Sequence, residues 1–285
     1  MGGSNPTARR EVDLNRVLQS RARGIDIAVI TLIPVVLVGV YLLPFDLKRA
    51  LALEYLDPTI LTVFTAHFIH LTPVHLLTNL GLYSVTISLV YVVSLLSNRR
   101  REFIITFSTF VFVFPFAISA LNLALPRPRI GYGFSGIVMA FVGFLTLLAW
   151  EFIGTRLHSD VDTNQAPLLF FVVIAIIILW GIPVSSPASA ALGLAVLGGS
   201  IQLRSLHRRL GPPITSIFRT FTAPPGYGEI ALSSLAIVVF IPFIAFPTAP
   251  AGNGEVINLY SHFLGYALGF QVPYLVMISP VVRGD

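Results

Sequence analysis

The sequence predicts an all-α, polytopic helix bundle that sits in a membrane. Of its residues 55% are hydrophobic and only 11% charged, and the mean hydropathy of +0.84 is too high for a domain that faces water on every side. The apolar residues gather into runs close to the roughly 20 residues that cross a hydrocarbon core as helix. Between those runs stand the arginines, where a membrane protein keeps its cations. The net charge of +5 therefore speaks of topology and argues against a nucleic-acid partner.

In chain order, residues 1–24 are polar and carry Arg9, Arg10, Arg16, Arg21 and Arg23. Without an apolar core or a small-residue cleavage site they read as a solvated cytoplasmic arm and not as a signal peptide. A membrane domain is expected over 25–283, with about eight spanning helices at 25–43, 75–96, 103–123, 133–150, 167–182, 188–203, 230–246 and 257–278. Residues 46–74 form a long external loop whose apolar part, 61–69, is too short to span and belongs at the outer membrane surface. Residues 204–229 form a cytoplasmic loop that turns Pro- and Gly-rich over 211–226. With the tail inside, all but Lys48, Arg49, Arg127 and Arg129 of the 18 Lys and Arg fall on the inner side. That bias is the one expected of a correctly threaded chain, and Arg99, Arg100 and Arg101 read as a topology anchor. A multi-pass protein of a cell membrane, with its N-terminus cytoplasmic and lipids as its surroundings, is the localisation this implies.

Polar residues within the spans are few, and each costs free energy in lipid. No Asp or Glu stands mid-span; Asp26 and Glu151 lie at cytoplasmic ends. This disfavours a proton-coupled transporter and excludes a pair of intramembrane catalytic aspartates. With no cysteine in the chain, thiolate chemistry and disulfides are excluded as well. Three polar clusters remain, all at outer helix ends: "HFIHLTPVHLLTN" from His67, with His75 and Asn79 on one helix face; "GFSG" from Gly133, opening the fourth span; and "SHFLGYALG" from Ser261, opening the last. Ser135 and His262 each begin an outside-to-inside span only if three spans separate them, which the threading supplies. Gly136 with Ala140, and Ser261 with Gly265 and Gly269, are small residues at four-residue spacing that let two backbones approach closely in lipid. Such an approach is what a serine–histidine hydrogen bond across two helices needs.

Together, "GFSG", His262 followed by Gly265 and Gly269, and the His75-x-x-x-Asn79 helix resemble the rhomboid family of intramembrane serine proteases. The resemblance covers about residues 67–269. It implies a rhomboid-like core in which Ser135 is the nucleophile and His262 the general base, a dyad without an orienting aspartate. It further implies an oxyanion hole from His75, Asn79 and the Ser135 N–H, a Gly133 that lets the substrate backbone approach, and a bracing role for His70. The expected substrates are single-span membrane proteins cut near the outer end of their helix, and no cofactor is expected. Nor is a metal: His67, His70 and His75 lack a carboxylate or cysteine partner.

The chain departs from the family in three ways. Met139 stands where some members have a tyrosine that packs on the histidine, which leaves Tyr266 or Phe134 to orient His262. Leu61 and Thr62 stand near the position of a common Trp-Arg pair. Two spans are added to the six-helix core, between the serine and histidine helices, and 230–246 is expected to be the helix that gates entry. The competing classes are a rhomboid-like protein that binds membrane clients without cutting them and, less consistent with the missing carboxylates, a transporter.

Overall fold

A computed structural model describes residues 14–125, 127–210, 225–249, 251–252 and 255–279. Each of the eight expected segments is helical. They form α2 (Gly24–Tyr41), α5 (Pro73–Leu96), the pair α6 (Arg100–Phe112) and α7 (Phe114–Leu123), α8 (Ser135–Phe152), α9 (Pro167–Gly181), α10 (Ser186–Leu210), α11 (Tyr227–Ala245) and α12 (Leu259–Ile278). Six of these described helices are long and apolar enough to cross a membrane, seven if α6 and α7 count as one broken span. The protein is thus a polytopic all-α membrane bundle. α12 is not among the six; its apolar run is interrupted by His262, Gln271 and Pro273.

The segment expected as one helix over 103–123 is bent by 44° between α6 and α7. Pro115, at the start of α7, cannot donate a backbone hydrogen bond, and that weakens the ladder there. Two loop expectations are corrected. Residues 14–21 are not a solvated arm but α1 (Leu14–Arg21), whose Leu14, Val17 and Leu18 follow i, i+3, i+4 spacing and pack on the core. The region expected as a loop from residue 204 begins as helix, because α10 continues through Arg204 and Arg208 to Leu210. Most of the Pro-rich stretch, 211–224, lies outside the described residues, as do Arg9 and Arg10.

α8 is the axle of the bundle. Nearly all its side chains are buried, with α12 packed along its length and α5, α11, the α6–α7 pair and α9 around it, while α10 stands outside against α9. Outward faces carry bare apolar side chains such as Leu32, Leu179 and Leu194, as lipid requires. Where α2, α6 and α8 meet, Arg100 grips the buried Asp26 with bonds of 2.7 and 2.6 Å, Tyr91 donates to the same carboxylate at 2.9 Å, and Arg99 reaches Glu151 at 2.6 Å. Arg99 and Arg100 are therefore a structural clamp. Arg21 adds a bond of 2.7 Å to the Leu95 carbonyl, and Arg156 caps that of Leu96, satisfying orphan groups at the C-terminus of α5.

At the opposite end of the bundle, residues 46–74 are a lid of short pieces: α3 (Phe45–Ala50), β1 (Leu53–Glu54), α4 (Ile60–Thr65) and a 3₁₀ turn at Ala66–Phe68. β1 pairs with β2 (Ile130–Gly131), Leu53 opposite Gly131, which ties the lid to the loop that leads into Ser135. A second short hairpin, β3 (Ala251–Gly252) and β4 (Glu255–Val256), lies between α11 and α12.

Candidate active site

α8 starts at Ser135 without a side-chain cap, and the Ile137 and Val138 amides of its first turn bond the Phe134 carbonyl at 3.0 Å. Ser135 Oγ lies 2.7 Å from His262 Nε2, a residue in the first turn of α12 and only 7% exposed. The other ring nitrogen, Nδ1, is 2.6 Å from the Ala245 carbonyl oxygen. A carbonyl only accepts, so the proton sits on Nδ1 and Nε2 is left as acceptor for the serine O–H. This is the protonation state a general base needs.

Glycine contacts set that distance. A Cβ on Gly265 would overlap the Gly136 carbonyl oxygen, and one on Gly269 would overlap that of Ala140. Gly136 itself sits 3.4 Å from the Ser261 oxygen when a Cβ is placed on it, an ordinary contact. Gly143, not among the residues expected from the sequence, is pressed equally hard against the Tyr266 carbonyl, two turns further down. The small residues at Gly136, Ala140 and Gly143 are spaced by four and three, one helical stripe.

His75, Asn79, Gly133, Ser135 and His262 line one cavity of about 230 Å³. Gly133 has φ of +110°, and a Cβ there would come within 2.7 Å of the His75 ring, so glycine is required twice over. The ring of His75 is flanked by His70 at 5.0 Å and Tyr132 at 5.7 Å. Asn79 is buried, and its amide donates one bond of 3.0 Å to the His75 carbonyl, leaving its second hydrogen for a ligand in the cavity. His70 Nε2 accepts from the Phe134 N–H at 3.5 Å, while the Gly133 N–H is held by the Ala66 carbonyl at 2.9 Å, so the lid fixes the serine loop from behind. His67, which had no expected role, bonds Ser119 Oγ at 3.0 Å and the Pro115 carbonyl at 3.1 Å, pinning the lid to the helix bend. Burial pushes the imidazoles of the lid well below their usual range, His67 to about 4 and His70 to about 3, so both are neutral at pH 7. Among the described residues no group of His, Asp and Glu is arranged to hold a metal.

Neither expected orienter is the ring paired with His262. Tyr266 stacks on Phe170 and faces Thr146, and Phe134 packs between Phe68 and Tyr83. The ring edge that meets His262 is that of Phe246, at 5.9 Å and 89°. A polar network was also not expected. Asn258 caps α12 through the Ser261 N–H at 3.1 Å and donates to Tyr55 Oη and Asn122 Oδ1, both at 2.9 Å. Asn122 donates to Ser261 Oγ at 2.9 Å. Its signals were an Asn three residues before a Ser at a helix start, and an Asn inside an apolar run.

Comparison with protein-family models, with curated proteins and with solved structures gives no match. The arrangement sets a serine hydroxyl against the acceptor nitrogen of an imidazole, beside Asn79 and His75 in a shared cavity at one end of a membrane bundle.

Proposed function

We propose that the protein is an intramembrane serine endopeptidase built on a rhomboid-like core, with Ser135 as nucleophile and His262 as general base. The observation that carries this reading is the 2.7 Å bond between Ser135 Oγ and an imidazole nitrogen whose partner nitrogen already donates its proton elsewhere. The serine attacks the scissile carbonyl while its proton passes to His262 Nε2. The imidazolium then gives that proton to the leaving amine, and water repeats the cycle on the acyl-enzyme. The negative oxygen is met by the Ser135 N–H with His75 and Asn79, a set whose loss costs on the order of 10²- to 10³-fold per donor in other acyl-transfer sites.

In this reading all eight helical segments span, the N-terminus is cytoplasmic, and the cavity opens toward the outer face of a cell membrane. The α9–α10 hairpin is the addition to the six-helix core. Val74, Thr78 and Leu82 of α5 face Ile244 and Ala245 of α11 across the cavity, which supports α11 as the wall past which a single-span substrate enters from lipid.

The test is cleavage of a single-span reporter by the purified protein in liposomes, with fluorophosphonate labelling in parallel. Wild type should cut and label, and Ser135→Ala and His262→Ala should lose both. Labelling that survives Ser135→Ala overturns the assignment. Absence of cutting and labelling in wild type moves the protein to the client-binding class.

A further inference from the structure

Apart from the bond between Nε2 and Ser135 Oγ, the imidazole of His262 is held by atoms that lie on neither α8 nor α12. On α8, one turn after Ser135, Met139 supplies no ring to stack on it. Its Nδ1–H instead meets the carbonyl of Ala245, the last residue of α11. Final carbonyls of a helix lack partners within it and carry the negative end of its dipole, so this oxygen is a good acceptor for a proton that becomes more acidic when the base is charged. The ring plane is set by the next residue, Phe246, which is 1% exposed and presents its ring at right angles to the imidazole.

Phe246 is in turn seated from behind. Gly181, the last residue of α9, lies so close that a Cβ there would come within 2.7 Å of Phe246 Cβ and 2.8 Å of its oxygen. The same helix touches α12 as well, through Phe170 stacked on Phe270 at 4.6 Å and on Tyr266 at 5.6 Å. α9 thus braces both the histidine helix and the residue that holds the histidine ring.

We propose that α9 and the end of α11 together are the positioning device for His262: the Ala245 carbonyl selects the Nδ1–H tautomer, Phe246 fixes the ring, and Gly181 seats Phe246. The functional meaning rests on the protease reading above, whereas the structural content does not. In a serine–histidine pair the tautomer decides activity, since a wrong one costs about 10⁴-fold in a triad enzyme that loses its orienter. The atoms that set the base also end the helix that walls the entrance. Any displacement of α11 therefore withdraws the carbonyl and the ring from His262, so the entrance and the base are set by one motion.

The test is ¹⁵N imidazole NMR of the full chain in detergent, with His262 assigned among the six histidines by its loss in His262→Ala. Wild type should show His262 as the neutral Nδ1–H tautomer with its proton in a strong hydrogen bond. Gly181→Ala and Phe246→Leu should reduce the share of that tautomer and slow fluorophosphonate labelling of Ser135 at least tenfold, with the His67 and His70 signals unmoved as the mark of an intact fold. An Nε2–H tautomer in wild type, which needs no variant to detect, overturns the proposal. So does an unchanged Nδ1–H signal and labelling rate in both variants. If the tautomer responds as stated while even wild type never labels, the positioning device stands and the protease reading falls.

Discussion

At Gly133 two demands meet on one residue: a backbone at φ of +110° and a histidine ring where a side chain would start. Gly133→Ala should cost about 1–3 kcal/mol of stability through the strained backbone alone and displace His75, lowering the labelling rate of Ser135 at least tenfold. Asn79→Ala should keep labelling by a small probe but lower reporter turnover about 10²-fold, the signature of a lost oxyanion donor. His67 makes a different prediction. Its imidazole is buried neutral with its affinity for protons pushed down to about 4 in the fold, whereas the unfolded chain has the ordinary value near 6.5. The unfolded state then binds more protons between those values, so stability is intact above about pH 6.5 and is lost as pH falls toward 4. Between pH 7 and pH 5 the loss should be about 2 kcal/mol, and in His67→Gln the pH dependence of the thermal midpoint should shrink accordingly.

At the scale of helices, the contact between α8 and α12 decides whether a serine on one can reach a histidine on the other. Its glycines are not equivalent. Gly265→Ala and Gly269→Ala force a methyl into backbone atoms of α8 and should cost about 1–3 kcal/mol with loss of labelling. Gly136→Ala meets only ordinary contacts and should cost below about 1 kcal/mol; thermal unfolding in detergent ranks the three. Of this contact the sequence displayed the four-residue spacing of Gly265 and Gly269 plainly. It did not display Gly143, whose partner is a backbone carbonyl that no side-chain pattern announces. Likewise, the bend at Val113 was hidden in a hydropathy profile that runs unbroken through Pro115, since hydropathy registers composition and not a missing N–H.

For the molecule as a whole, charge clamps one end and a capped, paired lid closes the other. Asp26 with Arg100 and Glu151 with Arg99 hold α2, α6 and α8 together at the first of these ends. The eight-span threading makes a sharp prediction about sides. Because the chain has no native cysteine, single cysteines at Asp57 and Ser159 can be labelled with an impermeant maleimide in intact cells. Asp57→Cys should react from outside and Ser159→Cys only after the membrane is opened. Reaction of both from one side would break the parity that brings Ser135 and His262 to the same face.

By itself, the sequence determined that this chain is a multi-pass helical membrane protein, because burial in hydrocarbon demands long apolar runs and leaves them in plain view. It also displayed Ser135, His262 and the residues around them, because polar groups in lipid are costly and hence sparse. Only the tertiary structure decided what holds the histidine. The Ala245 carbonyl, the edge of Phe246 and the seat at Gly181 come from helices distant in sequence, and a carbonyl, a phenylalanine and a glycine in apolar runs carry no pattern of their own. Their roles arise from close packing between backbones, which is a property of the assembled bundle and not of any segment in it.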